Sequence, residues 1–206
     1  MIILNKENYI AEGLARVCYK HPENNSLCIK IGKPGVEVSH LYKEIKYFNK
    51  IRKKKVSDFE YPFYAMYHGE IETNLGTGFV YDLIIDEPTN KISLTLRHYL
   101  EMVDPPFSDD YFISELNRLK QQMIVHKVHV GDLRARNICV KILKNKTIQL
   151  IVIDGLGHRD LLPFGDWFHY FAKKKVERRF IKNELHCLKT QRLLIKRMRD
   201  AGETIV

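Results

Sequence analysis

The chain has 206 residues, 45% hydrophobic and 29% charged, with 34 basic against 25 acidic side chains and a formal charge of +9. This is the balance of a folded globular chain, which excludes a disordered or collagen-like polymer, and the length allows one domain or two small lobes sharing a cleft. No apolar run approaches the roughly 20 residues that span a bilayer. The N-terminal MIILNKENY lacks the basic-then-apolar order of a secretory signal. Cys18, Cys28, Cys139 and Cys187 are too sparse for a disulfide scaffold and include no CxxC pair, so a reducing cytoplasm is expected and a zinc ribbon is not.

In chain order, short strands and turns come first. Arg16–Tyr19 reads as a strand after Gly13, and a His21–Asn25 turn leads to a second strand over Ser26–Ile31. After Pro34-Gly35, the residues Val38, Leu41, Ile45, Phe48 and Ile51 recur at steps of three and four, which predicts a one-sided helix. Further strands are expected at Ala65–Tyr67, Glu70–Thr73 and Phe79–Ile85, with Gly76-Thr77-Gly78 as a turn. The second half changes character. Thr95–Val103 is a short helical pattern, and Ser108-Asp109-Asp110 caps a longer helix striped by Phe112, Ile113, Leu116, Leu119, Met123 and Ile124. A polar loop, His129–Asn137, precedes strands at Ile138–Ile142 and Gln149–Ile153 joined by a Lys144–Thr147 turn. Helices are expected over Asp166–Lys182 and Glu184–Arg199, with Trp167, Phe168 and Phe171 as core packing. The pattern predicts an α+β fold of two lobes, 1–84 and 85–206, with the boundary near Ile84–Lys91.

The positive charge is concentrated. Residues 42–55 hold seven Lys or Arg and one Glu, and residues 157–206 hold twelve against six acids, leaving a mildly acidic remainder. The ordinary reading is two solvated helix faces; the sharper one is a footprint for an anionic, phosphate-bearing partner at Lys53, Lys54, Lys55, Lys173, Lys174, Lys175, Arg178 and Arg179.

The most informative stretch is Val128-His129-Val130-Gly131-Asp132-Leu133-Arg134-Ala135-Arg136-Asn137-Ile138. Asp132 and Asn137 lie five apart on a loop before a strand, and the next strand ends Ile151-Val152-Ile153-Asp154-Gly155. Phosphoryl transfer needs such a set: a carboxylate beside the attacking hydroxyl, and an amide and a second carboxylate to hold Mg²⁺ against nucleotide phosphates. Glycine after the metal-binding Asp lets the chain turn without a steric penalty.

The run resembles the catalytic and metal loops of the protein-kinase-like fold, in the aminoglycoside-phosphotransferase-like form His-Gly-Asp-Leu with Asn five residues after the Asp. Val130 stands at the histidine position, and His129 falls one place early, which assigns it a structural or solvated role. Asp154-Gly155-Leu156-Gly157 stands where that fold has Asp-Phe-Gly. The resemblance implies ATP and Mg²⁺ as cofactors, Asp132 as the catalytic residue, and Asn137 and Asp154 as metal ligands. Leu27-Cys28-Ile29-Lys30 resembles the Val-Ala-Ile-Lys strand, so Lys30 is expected to hold the α/β-phosphates, with Glu44 (or its rival Glu37) as its helical partner. Gly13 is the one glycine kept where the Gly-rich loop belongs, and Arg16 supplies charge there. Val80–Ile84, with Asp82 and Ile84, stands where the hinge would contact adenine through its backbone.

The closer resemblance is to the YrbL family of PhoP regulatory network proteins. It is carried by Gly13…Arg16…Cys18-Tyr19…His21-Pro22-Glu23, Cys28-Ile29-Lys30, Lys43–Tyr47, His68-Gly69, Glu72–Asp82, Ser93–Leu96 and Asn137-Ile138-Cys139. It implies a reduced, bilobal protein-kinase-like fold with a β-rich first lobe and a mainly helical second. Only a short chain follows Asp154, with no Ala-Pro-Glu motif, so the peptide-docking platform of protein kinases is expected to be missing or replaced. Three readings follow: a phosphotransferase of unknown acceptor, a nucleotide-binding pseudokinase without turnover, and a basic nucleic-acid binder supported by charge alone.

Overall fold

The structure is a computed structural model, and it describes residues 1–36, 39–52 and 62–157, together with positions 173, 174, 176, 177, 178 and 180. It is α+β. Strands β1 (Tyr9–Glu12), β2 (Arg16–Lys20), β3 (Leu27–Gly32), β4 (Tyr67–Thr73) and β5 (Gly76–Asp82) form one antiparallel sheet in the order β1-β2-β3-β5-β4. Helix α1 (Ser39–Arg52) follows β3. Then come α2 (Leu96–Glu101), α3 (Asp109–Val125) and a hairpin of β6 (Ile138–Ile142) and β7 (Ile148–Val152).

The central strand β3 explains the layering. Alternate side chains of a strand point to opposite faces, and here both faces are covered. Ile29 and Ile31 pack with Val80 and Leu4 beneath the N-terminal arm. That arm is tied down by Ile2 N–H to Glu72 O (2.8 Å) and by Asn74, which accepts from Leu4 N (2.7 Å) and donates to Leu4 O (3.1 Å). On the other face, Cys28 joins Ile45, Tyr47, Phe48 and Ile51 of α1 in the main core, which continues through Leu96, Phe112, Leu119, Leu133 and Val152. Val38, Glu37 and the Leu41 side chain lie outside the described residues.

Two expectations for the first half need correction. The expected strands at Ala65–Tyr67 and Glu70–Thr73 merge into β4, whose register shifts between Tyr67 and Gly69. Gly76-Thr77-Gly78 is not a turn but the start of β5; Asn74-Leu75 makes the turn, braced by Thr73 Oγ1, which donates to Gly76 O (2.6 Å) and accepts from Leu75 N (3.1 Å). Gly78 is there for space: a Cβ would stand 2.4 Å from Ile29 Cγ2.

The second half forms as its caps dictate. Thr95 Oγ1 caps α2 and Ser108 Oγ caps α3, accepting from His98 N and Tyr111 N. On α3, Phe112, Leu116, Leu119, Met123 and Ile124 are buried, while Ile113 is half-buried. The β6–β7 hairpin is flanked on both sides, by Val140 N to Leu94 O (2.9 Å) and by Ala65 N to Val152 O (2.8 Å), and β7 is buried along its length. Of the expected C-terminal helices, Val176 and Phe180 are described: they are one turn apart and both join the main core. Lys173, Lys174 and Arg178 are exposed. Lys53, Lys54, Lys55, Lys175, Arg179, Trp167, Phe168, Phe171 and Glu184–Arg199 lie outside the described residues. Among the described residues, no helix is long and apolar enough to cross a membrane.

Candidate functional site

The sheet and the two loops around β6 and β7 meet at one cluster of charges. Register puts Cys18 opposite Lys30, so Arg16, Cys18, Cys28 and Lys30 share the face of the sheet turned toward α1. Lys30 is buried; its Nζ donates to Ile153 O (2.7 Å) and lies 4.4 Å from the centre of the Tyr81 ring. A strand lysine thereby holds the residue just before Asp154.

The expected Lys30–Glu44 pair is replaced by another. Arg16 takes Glu44, with Nη1 3.3 Å from Oε2, and its Nη2 hydrogen-bonds Asp154 Oδ1. Arg16 thus bridges an acid of α1 and an acid of the loop after β7. Burial acts to lower the Arg16 pKa, but the charges of Asp154 and Glu44 raise it overall, so the guanidinium is held in its charged form. Burial pushes Asp154 up, yet the cations Lys30 and Arg16 and the Gly155 N–H bring it below the usual carboxylate range. Glu44 goes the other way: burial and the nearby Asp154 charge raise it, outweighing Arg16 and Lys30. Glu44 Oε1 is buried without a hydrogen-bond partner.

The Asp132 loop is stitched to the Asp154 loop by backbone. Gly131 N and Gly157 N donate to Gly155 O (2.7 Å) and His129 O (2.9 Å), and Val130 bridges to Leu156. Gly155 has φ +78, and its Cα packs directly on Asp132, where a Cβ would meet Asp132 Cβ at 2.9 Å. Asn137 Nδ2 donates to Asp132 O (2.8 Å) and Oδ2 (3.2 Å), and Asn137 O accepts from Ile153 N (2.9 Å). Asp132, Asn137 and Asp154 are therefore brought together. His129 is buried, its backbone N–H on Tyr47 Oη (2.8 Å).

Other expected residues are spent elsewhere. Gly13 closes the β1–β2 hairpin that carries Arg16, its N–H on Arg16 O (2.8 Å). Asp82 turns inward: its carboxylate accepts from Met66 N (2.8 Å) and lies 2.6 Å from His68 Nε2, while its backbone N–H donates to Met66 O (3.0 Å). Leu83 N donates to Ser26 O, and Ile84 O accepts from Ser93 N. The Ile84 side chain is buried with Ala65, Cys139 and Ile151. The Val80–Ile84 segment thus uses these polar groups to hold the fold rather than offering them to a base. Three residues join the site that the sequence reading missed. Arg134 Nε lies 2.8 Å from Asp132 Oδ1, Tyr47 anchors His129, and Tyr81 underlies Lys30. Arg134 stands two residues after Asp132, close enough in sequence to have been considered, whereas the Tyr47–His129 contact spans 82 residues and leaves no local signal.

The donor set suits a hard cation. With Nδ2 committed to Asp132, the Asn137 amide oxygen is the atom left for a ligand, and Asp154 adds carboxylate oxygen. Among the described residues no group of three or more His, Cys, Asp or Glu forms a metal cage. An amide oxygen and a carboxylate oxygen are hard donors of the kind that could hold Mg²⁺ if other oxygens completed its shell.

A protein-family profile described as "PhoP regulatory network protein YrbL" matches residues 2–185. The protein named "Uncharacterized protein YrbL" from Escherichia coli (strain K12) is 30% identical over 183 residues, covering 86% of this chain and 84% of that protein. A protein of the same name from Shigella flexneri matches to the same extent.

Proposed function

The chain belongs to the family of PhoP regulatory network protein YrbL, and from that membership and the cluster around Asp132 we propose that it is an ATP- and Mg²⁺-dependent phosphotransferase with a reduced, two-lobed protein-kinase-like fold. One observation carries this reading. Lys30 from the sheet reaches the Asp154 loop while Gly155 and Asn137 hold that loop against Asp132, which supports a site in which Lys30 would meet phosphate, Asn137 and Asp154 would hold the metal and Asp132 would act as base.

In this reading, residues 1–84 and 85–206 are the two lobes. Asp132 accepts or orients the proton of the acceptor hydroxyl, a role worth about 10²–10⁴-fold in rate. Lys30 neutralises phosphate charge, and Asn137 and Asp154 hold Mg²⁺. When bound, the metal draws off negative charge that develops on the transferring group. Arg134 fixes the Asp132 carboxylate in place. The exposed Lys173, Lys174 and Arg178 support an anionic acceptor.

The test is Mg-ATP turnover, with and without candidate acceptors. Asp132→Ala is expected to reduce transfer about 10²-fold or more; a variant as active as the parent refutes the assignment. A second reading, nucleotide binding without turnover, is favoured by Arg16 standing in place of Lys30 as the partner of Glu44. It predicts thermal stabilisation by nucleotide with no transfer or hydrolysis. The nucleic-acid reading keeps only the charge in its support.

A further inference from the structure

The acidic centre of the cleft already contains a cation, and that cation belongs to the chain. Arg16 is largely buried and hydrogen-bonds both Glu44 and Asp154. Its two contacts use different nitrogens, Nη1 for Glu44 and Nη2 for Asp154. The two contacts therefore do not share a donor atom. The Arg16 backbone is fixed on both sides: it pairs with Gly32 of β3, a pairing extended by Lys33 N to Ala15 O (2.8 Å), and the β1–β2 hairpin is closed by Gly13 N to Arg16 O (2.8 Å).

Arg16 does not exhaust the acids around it. Glu44 Oε1 is buried and has no hydrogen-bond partner. Asp154 Oδ1 carries both the Arg16 and the Gly155 contacts. A divalent cation on Asp154 would sit within a few ångströms of a guanidinium of like charge, in a site where charges are poorly screened. The two cannot share that carboxylate without strong repulsion.

We infer that Arg16 is the resident counter-ion of the Asp154 site: a divalent cation competes with it for Asp154, and the cation that wins releases the Arg16 fork toward the phosphates of a bound nucleotide. The second half of this rests on the phosphotransferase reading; the competition for Asp154 does not. Arg16 is in this scheme a positioning residue, which bridges the two acids until a metal arrives.

The experiment is a Mn²⁺ titration of the full chain without nucleotide, following free Mn²⁺ by electron paramagnetic resonance. Arg16→Gln is expected to bind Mn²⁺ about tenfold tighter than the parent, since a charge-assisted hydrogen bond no longer has to be broken. Arg16→Lys is expected to fall between them, because an ammonium keeps the charge and loses the fork. With ATP and Mg²⁺ present, Arg16→Gln is expected to weaken nucleotide affinity. If Arg16→Gln does not fold, Arg16→Gln/Glu44→Gln removes one acid with the cation and is expected to show the same gain for Mn²⁺. Unchanged or weaker Mn²⁺ binding in the folded variants, or no Mn²⁺ binding in any of them, overturns the competition. A gain in Mn²⁺ affinity alongside a parent protein that transfers no phosphate keeps the competition and sinks the phosphotransferase reading.

Discussion

Gly155→Ala is the substitution that tests the site most directly. Gly155 has φ +78, and a Cβ there would stand 2.9 Å from Asp132 Cβ, 3.1 Å from Asp132 O and 3.2 Å from Asp132 N. The left-handed conformation costs a non-glycine residue about 1–2 kcal/mol. Pressing a methyl group into backbone that cannot rotate aside adds about 1–3 kcal/mol. Gly35 supplies the control, since it has φ +75 and nothing within 4 Å of its ideal Cβ. Gly35→Ala should therefore carry only the conformational cost. At about 2–4 °C per kcal/mol for a chain of this size, Gly35→Ala should lose a few degrees in Tm and Gly155→Ala on the order of 10 °C. Differential scanning calorimetry reads both. The Asp132 loop must also shift in Gly155→Ala, so Mn²⁺ affinity and any phosphate transfer should fall in that variant and not in Gly35→Ala. Equal Tm losses in the two variants, with the site's binding intact in both, would refute the claim that Gly155 holds Asp154 against Asp132.

The thiols should react in a fixed order. Cys18 is lowered, first by the Cys28 thiol against its own burial and then by Lys30 and Arg16, whereas burial pushes Cys139 up to about 12. In a Cys187→Ser background, mass spectrometry after iodoacetamide at neutral pH should find Cys18 alkylated before Cys139, and the reverse order contradicts the geometry. Phe112 is fully buried among Tyr99 and Phe107; Phe112→Ala should cost about 3–5 kcal/mol, read as a lower urea midpoint. The two acids on Arg16 should shape the acid limb with opposite signs. Asp154 is depressed below 3.8, so its contribution is present above the unfolded value and is lost as pH falls through the folded one. Glu44 is raised above 4.5, so stability is gained as pH falls through its folded pKa. Asp154→Asn should flatten the loss of stability below pH 4, whereas Glu44→Gln should remove a gain that falls above pH 4.5 and leave the slope below pH 4 unchanged; the same change in the same window for both would show the coupling is misassigned.

What the sequence disclosed follows from which interactions are local. Helix α3 was legible because its cap and stripe lie within one segment, from Ser108 to Ile124. The β6–β7 hairpin was legible for the same reason. The Gly76-Thr77-Gly78 error arose because glycine signals a turn by default, whereas Gly78 answers to Ile29 on a strand far away in the chain. The trio Asp132, Asn137 and Asp154 was found through motif spacing. Arg16 was expected only to lend charge to a loop, and its partners are 28 and 138 residues away. Nothing in the local pattern could have chosen Arg16 over Lys30 for Glu44. That choice is made by the β2–β3 register, which sets both side chains on one face and leaves Lys30 to reach Ile153.

The charge of the chain and the charge of its cleft are separate quantities. Among the described residues of the cluster, Arg16, Lys30 and Arg134 stand against Glu44, Asp132 and Asp154, three cations against three carboxylates. The excess of +9 is not carried by these six side chains. Net charge of that kind speeds the approach of an anion and is screened by salt beyond about 10 Å at 0.1 M. It cannot neutralise a polyphosphate held inside a balanced site. If the cluster binds a nucleotide as proposed, these six side chains balance one another and leave the charge of the phosphates to be met by imported cations. Nucleotide affinity should then depend steeply on divalent cation and only weakly on monovalent salt. A nucleotide affinity insensitive to Mg²⁺ and steeply lowered by NaCl would mean that the outer basic surface, and not the Asp154 cluster, does the binding.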